Sequence, residues 1–116
     1  MWTRSIGVVC ALSLLAGGAP RARAQEPRVV EITARRFQFT PSQVTLKRGE
    51  TVKLLLRSED VVHGLYMKKL GIDTEIQPGK TTEVLVTPAI AGRFTAICDH
   101  FCGSGHGNMK MTILVE

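Results

Sequence analysis

The 116-residue chain contains no apolar run long enough to cross a bilayer comfortably. Its one extended apolar stretch, Ile6 to Ala19, has 14 residues, whereas a spanning helix needs about 20. Blocks of basic charge are missing too. Arg35-Arg36, Lys47-Arg48 and Lys68-Lys69 are dispersed pairs that read as solvated strand ends, which argues against a nucleic-acid partner. Apolar residues do not recur at the spacing of an amphipathic helix, so helical classes are disfavoured. No nucleophile–base–acid set stands outside one cluster near the C-terminus, and a hydrolase is unsupported. Cysteine is scarce, with three in the whole chain.

The chain begins with the signature of export. Arg4 supplies a charged start, Ile6 to Ala19 a short apolar run, and Ala22-Arg23-Ala24 a small-x-small cleavage site. Residues 1–24 are therefore expected to be a secretory signal peptide and 25–116 the working domain, with a retained anchor as the alternative. Cys10 follows Gly7-Val8-Val9 inside the apolar run, a poor lipoprotein context. Losing Arg4, Arg21 and Arg23 leaves 12 basic and 10 acidic residues over 92 positions, net +2 rather than +5. The only Trp, Trp2, leaves as well.

From Arg28 onward the sequence is short alternating runs cut by Gly and Pro, the pattern of strands. Val30, Ile32 and Ala34 share a face, and Phe37 and Phe39 continue the two-residue period until Pro41-Ser42 breaks it. Val44 to Leu46 resumes before a turn at Arg48-Gly49-Glu50. Val52, Leu54 and Leu56 then face one way and Leu55 the other. After a turn at Ser58-Glu59-Asp60, Val61 to Met67 reads as a strand carrying the isolated His63. Lys68 to Asp73 reads as a loop, and Gln77-Pro78-Gly79-Lys80 as a turn. Thr82, Val84 and Val86 pattern another strand, Phe94, Ala96 and Cys98 a further one, and Met111, Ile113 and Val115 the last. About seven such strands predict an all-β antiparallel sandwich.

The chemistry is concentrated in Cys98-Asp-His-Phe-Cys102-Gly-Ser-Gly-His106-Gly-Asn-Met109. Thiolate, imidazole and thioether are the soft donors that suit copper, whereas carboxylate and carbonyl oxygens suit magnesium or calcium. Each residue also has a plainer reading. Two cysteines in an oxidising compartment commonly form a disulfide, although closing so short a loop stabilises little and leaves His106 and Met109 unexplained. His63 could be an ordinary strand-end histidine and Met109 core filler. Met67 and Met111 are assigned to packing.

The spacing C-x3-C-G-x2-H-x2-M resembles the binuclear copper (CuA) loop of cytochrome oxidase subunit II and nitrous oxide reductase. Phe39 to Leu54 and Asp60-Val-Val-His63-Gly are similar to cupredoxins generally. The resemblance implies a cupredoxin-like Greek-key antiparallel β-sandwich with its metal at one end. It further implies two copper ions bridged by Cys98 and Cys102, with imidazoles from His63 and His106, a weak thioether from Met109 and the backbone carbonyl of His100. Gly103, Gly105 and Gly107 are expected to grant the loop its backbone angles. Such a centre moves electrons without making bonds. Expected partners are a cytochrome c-like donor, an oxidase-like acceptor, and a copper-delivery or thiol-reducing factor in the periplasm, with no substrate of its own.

The chain departs from the family in places. His100 stands where Glu is typical, and Leu65 where subunit II usually carries an aromatic. Asp73 to Lys80 only loosely resembles the family's Asp-x-x-Pro-Gly turn, and no transmembrane hairpin is seen, so a free-standing domain is expected. A mononuclear blue-copper site using His63, Cys102, His106 and Met109 would leave Cys98 idle. A copper delivery or storage module is a third reading; zinc fits the spacing and the Met poorly.

Overall fold

A computed structural model describes Gly17 and residues 26–116, with the side chain of His106 excepted. The expected signal, 1–24, thus lies almost entirely outside the described residues. The alternating runs become nine strands: β1 (Arg28–Arg35), β2 (Gln38–Thr40), β3 (Gln43–Leu46), β4 (Val52–Ser58), β5 (His63–Met67), β6 (Ile72–Ile76), β7 (Thr82–Val86), β8 (Gly92–Ile97) and β9 (Lys110–Val115). Helix is confined, among the described residues, to single 3-10 turns at Lys68–Leu70 and His106–Asn108.

The strands form two sheets, ordered β2-β1-β4-β7 and β3-β9-β8-β5-β6. Their inner faces meet as a sandwich. One side contributes Ile32, Ala34, Val52, Leu54, Leu56 and Val86, and the other Val44, Leu46, Leu65, Ile72, Ala96 and Ile113, all buried. Leu55, on the opposite face of β4, is half-buried. Period-two patterning therefore identified the core correctly, because successive side chains on a strand point to opposite faces.

The sheets are mixed rather than antiparallel throughout. β1 lies parallel to β4 from Arg28↔Val52 to Ala34↔Ser58, and β3 parallel to β9 from Gln43↔Thr112 to Leu46↔Val115. After β2 the chain crosses to the second sheet, lays down β3, and returns to the first with β4. Alternation has the same period in either orientation, so the pattern carried no information about strand direction. A second difference is β6, which begins inside the Lys68 to Asp73 stretch expected to be a loop. Gly71 in the left-handed region (φ 69°) ends the 3-10 turn, which lets Ile72 to Ile76 pair back along β5.

This topology places the chemistry at one end. β8 and β9 are neighbours, so the segment joining them must project past the sheet edge, and Cys98 N–H donating to the Met109 carbonyl at 3.0 Å closes its base. β5 lies on the other side of β8 and starts at His63. The segment before β5 and the β8–β9 loop therefore converge.

Leu54 is 1% exposed and Leu85, on the outer face, 63%. Leu54→Ala should cost about 2–5 kcal/mol by the usual large-to-small core penalty, and Leu85→Ala under about 0.5 kcal/mol as an exposed change. Urea denaturation of both variants checks the assignment of inner and outer faces, which equal losses would contradict.

Candidate metal centre

His63 opens β5 and is fully buried. Its Nε2 lies 2.7 Å from Asp60 Oδ1. A carboxylate there accepts the Nε2–H, which leaves the Nδ1 lone pair facing inward, the arrangement that orients a metal-binding imidazole. Nδ1 looks onto Cys98 Sγ at 3.9 Å. The Cys98 sulfur also meets the Gly64 N–H at 3.4 Å and the His100 carbonyl oxygen at 3.3 Å. Across the loop, Cys102 Sγ lies 3.8 Å from Met109 Sδ. His63, Cys98 and Cys102 offer donor atoms all within 4.8 Å of one another, and all three residues are buried. Met109 is buried beside them.

The structure thus brings together His63, Cys98, Cys102, Met109 and the carbonyl of His100. The His100 side chain is elsewhere: it is exposed, with Nδ1 3.2 Å from the Phe101 carbonyl. Its backbone oxygen, not its imidazole, points at the thiols. The backbone of His106 lies in the 3-10 turn that precedes Met109; its side chain is outside the described residues. Cys98 and Cys102 are not joined in a disulfide.

Electrostatics favours the neutral Cys102 thiol until a cation arrives. Burial pushes the Cys102 thiol up, and the neighbouring Cys98 pushes it further. Two thiolates side by side in a dry pocket are costly, and bound cations offset that cost. Two thiols, an imidazole, a thioether and one carbonyl are a donor set that fits copper better than any hard cation.

Three residues of the site were missed from the sequence. Asp60 precedes His63 by one strand-entry turn and could have been found from that spacing. Partial burial opposes its ionisation, but hydrogen bonds from the Arg36 N–H, His63 and the Val61 N–H outweigh burial and hold its carboxyl at about 2. Arg36, in the β1–β2 turn, also donates from Nε to the Cys102 carbonyl at 2.9 Å. The ring of Phe37 lies over the loop glycines. A Cβ on Gly105 would come within 2.6 Å of that ring, and one on Gly103 within 3.0 Å. Of the three loop glycines, only Gly103 (φ 141°) has positive φ; Gly105 is needed for space. Nothing lies within 4 Å of where a Gly107 Cβ would sit. Beside the loop a cleft of about 320 Å³ is lined by Arg36, Val61, Val62, His100, Phe101, Cys102 and Gly103.

Residues 7–115 match the family model of the cupredoxin-like domain. The chain belongs to that family. Among curated cupredoxin relatives it is 32% identical over 87 residues to cytochrome c oxidase subunit 2 of Thermus thermophilus, covering 75% of this chain and 64% of the relative. It is 31% identical over 91 residues to the nitrous-oxide reductase of Cupriavidus necator, covering 75% of this chain and 14% of that enzyme. The chain therefore spans less than two thirds of the length of these relatives. By fold it is similar to the periplasmic domain of cytochrome oxidase subunit II of Bradyrhizobium japonicum, with a TM-score of 0.71 at 16% identity over 77% of this chain and 83% of that one. It is also similar to an oxidase subunit II domain captured as a mixed disulfide with a thioredoxin-like protein, with a TM-score of 0.66 at 16% identity over 88% and 87%.

The Asp60 carboxyl lies at about 2 in the fold against an ordinary 3.8. A depressed folded value means its contribution is complete above the ordinary value and disappears as pH falls toward the folded one. In the metal-free protein, Asp60→Asn should therefore be less stable than wild type at pH 7, and the gap should close between pH 4 and pH 2. Urea midpoints across that range read it out; a gap independent of pH would remove the anchoring role of the carboxylate.

Proposed function

We propose that this cupredoxin domain is a periplasmic electron-transfer module with a binuclear, CuA-type copper centre. The observation that carries the reading is the pair of buried thiols whose donor atoms, with that of His63, lie within 4.8 Å of one another. Cys98 and Cys102 would bridge two copper ions. His63 Nδ1 would serve one of them and His106 the other, with Met109 Sδ and the His100 carbonyl as weak outer donors. Bound copper supplies one-electron chemistry, and the chain's part is to hold the donors still and dry. A centre of this kind would act as an electron carrier.

A single-copper site fits less well. It would use Cys102 and leave Cys98 idle, yet Cys98 carries the sulfur facing His63 Nδ1 and also meets the Gly64 N–H. A labile delivery site is disfavoured by the burial of all three donors.

Export of residues 25–116 after removal of 1–24 accords with the periplasmic location of the Bradyrhizobium domain. Kinship with oxidase subunit 2 supports a cytochrome c-like donor and an oxidase-like or reductase-like acceptor. In an oxidising compartment the thiols must be kept reduced until copper arrives. The relative trapped with a thioredoxin-like protein supports a thiol-reducing partner here.

Copper content and electron paramagnetic resonance of the loaded protein test the reading. Two coppers sharing one unpaired electron should give about seven hyperfine lines, against about four for one copper, in a site defined by its ligand set. Cys98→Ser should abolish the shared pattern. One copper per chain with a four-line spectrum unaffected by Cys98→Ser would replace this proposal with the mononuclear one.

A further inference from the structure

The β1–β2 turn lies outside the donor set, on the other sheet, yet it touches both halves of the site. The Arg36 backbone N–H donates to Asp60 Oδ2 at 2.7 Å, and the other oxygen of that carboxylate holds His63 Nε2. The Arg36 side chain reaches the opposite way, donating from Nε to the Cys102 carbonyl in a partly buried contact. Phe37, the next residue, covers Gly103 and Gly105. One turn therefore orients the imidazole through Asp60 and pins the backbone of a thiol-bearing residue that follows it by 66 positions.

We propose that Arg36 is a positioning residue of the metal centre that also sets its reduction potential. The guanidinium is a cation that forms hydrogen bonds in a fixed geometry. Its tie to the Cys102 carbonyl keeps the loop in the conformation that presents both sulfurs. When one electron enters the centre, with no bond made or broken, the net positive charge there falls by one. A fixed cation at the Cys102 end favours that state, by an amount that solvent and salt reduce because Arg36 is itself exposed. Arg35, its neighbour and exposed like Arg36 itself, lies beside the Gln38 side chain, so it carries the same charge without the contact.

The inference rests on the copper reading, and its two arms separate the failures. The variants are Arg36→Ala, Arg36→Lys and Arg35→Ala, made in the full exported chain. Each retains the backbone N–H to Asp60, so only the side chains are tested. In the metal-free arm, thermolysin should cut ahead of Phe101 or Met109 several-fold faster in Arg36→Ala than in wild type or Arg35→Ala. In the copper arm, a mediated redox titration should show a lower midpoint potential for Arg36→Ala, largely restored in Arg36→Lys and unchanged in Arg35→Ala. Should Arg36→Ala fail to fold, Arg36→Gln removes the charge while keeping a donor and serves the copper arm. Wild-type cleavage rates in Arg36→Ala, or equal potentials in the Arg36 and Arg35 variants, overturn the proposal. If wild type takes up no redox-active copper, the electron-transfer reading fails, while the cleavage arm still decides the tether.

Discussion

Two thiols held side by side in an apolar pocket are the constraint on which the rest of this structure depends. Cys102 does not ionise easily there, since burial and the neighbouring Cys98 sulfur both resist its charge. The pocket resists that charge until a cation shares it. It must therefore be built before the metal arrives, in a form that will not collapse or drift. The surrounding contacts serve that need. His63 is locked from behind by Asp60, Cys98 is met by the Gly64 N–H, and the loop's base is closed by the Cys98–Met109 backbone bond.

The sandwich supplies the rigidity. β8 and β9 are paired along their whole length, from Gly92↔Val115 to Ile97↔Lys110, so the ends of the β8–β9 loop cannot separate. The parallel pairing of β1 with β4 has a more distant consequence. It brings the β1–β2 turn to the same end of the molecule as the exit of β4, which is why Arg36 can meet Asp60. Donors from a core strand entry and from a loop are thereby referred to one frame. Such a frame holds the donors in place, as the proposed electron-transfer role requires.

Kinship with oxidase subunit 2 and nitrous-oxide reductase extends over most of this chain but over less than two thirds of those proteins. What is shared is the cupredoxin-like domain. The surface near the site has its own character. Leu65, where subunit II usually carries an aromatic, is fully buried, so that position presents nothing to a partner. The aromatic ring most exposed near the centre is Phe101, 75% accessible, on the loop itself at the rim of the cleft beside Cys102.

The sequence by itself determined the core faces of the strands and the choice of donor types. Alternation in β4 and β9 and the Cys98–Met109 spacing are local properties, written within a few residues of one another. It also placed a turn before His63, since Ser58-Glu59-Asp60 can hardly be anything else. Strand direction was beyond it, because parallel and antiparallel strands alternate alike, and so was β6, whose start depends on Gly71 closing a tight turn. Only the tertiary structure decided that Gly105 makes room for Phe37 and that Arg36 braces Cys102. Those contacts join segments tens of residues apart through space. Their cause is the crossing of the chain between sheets, which no local pattern of residues records.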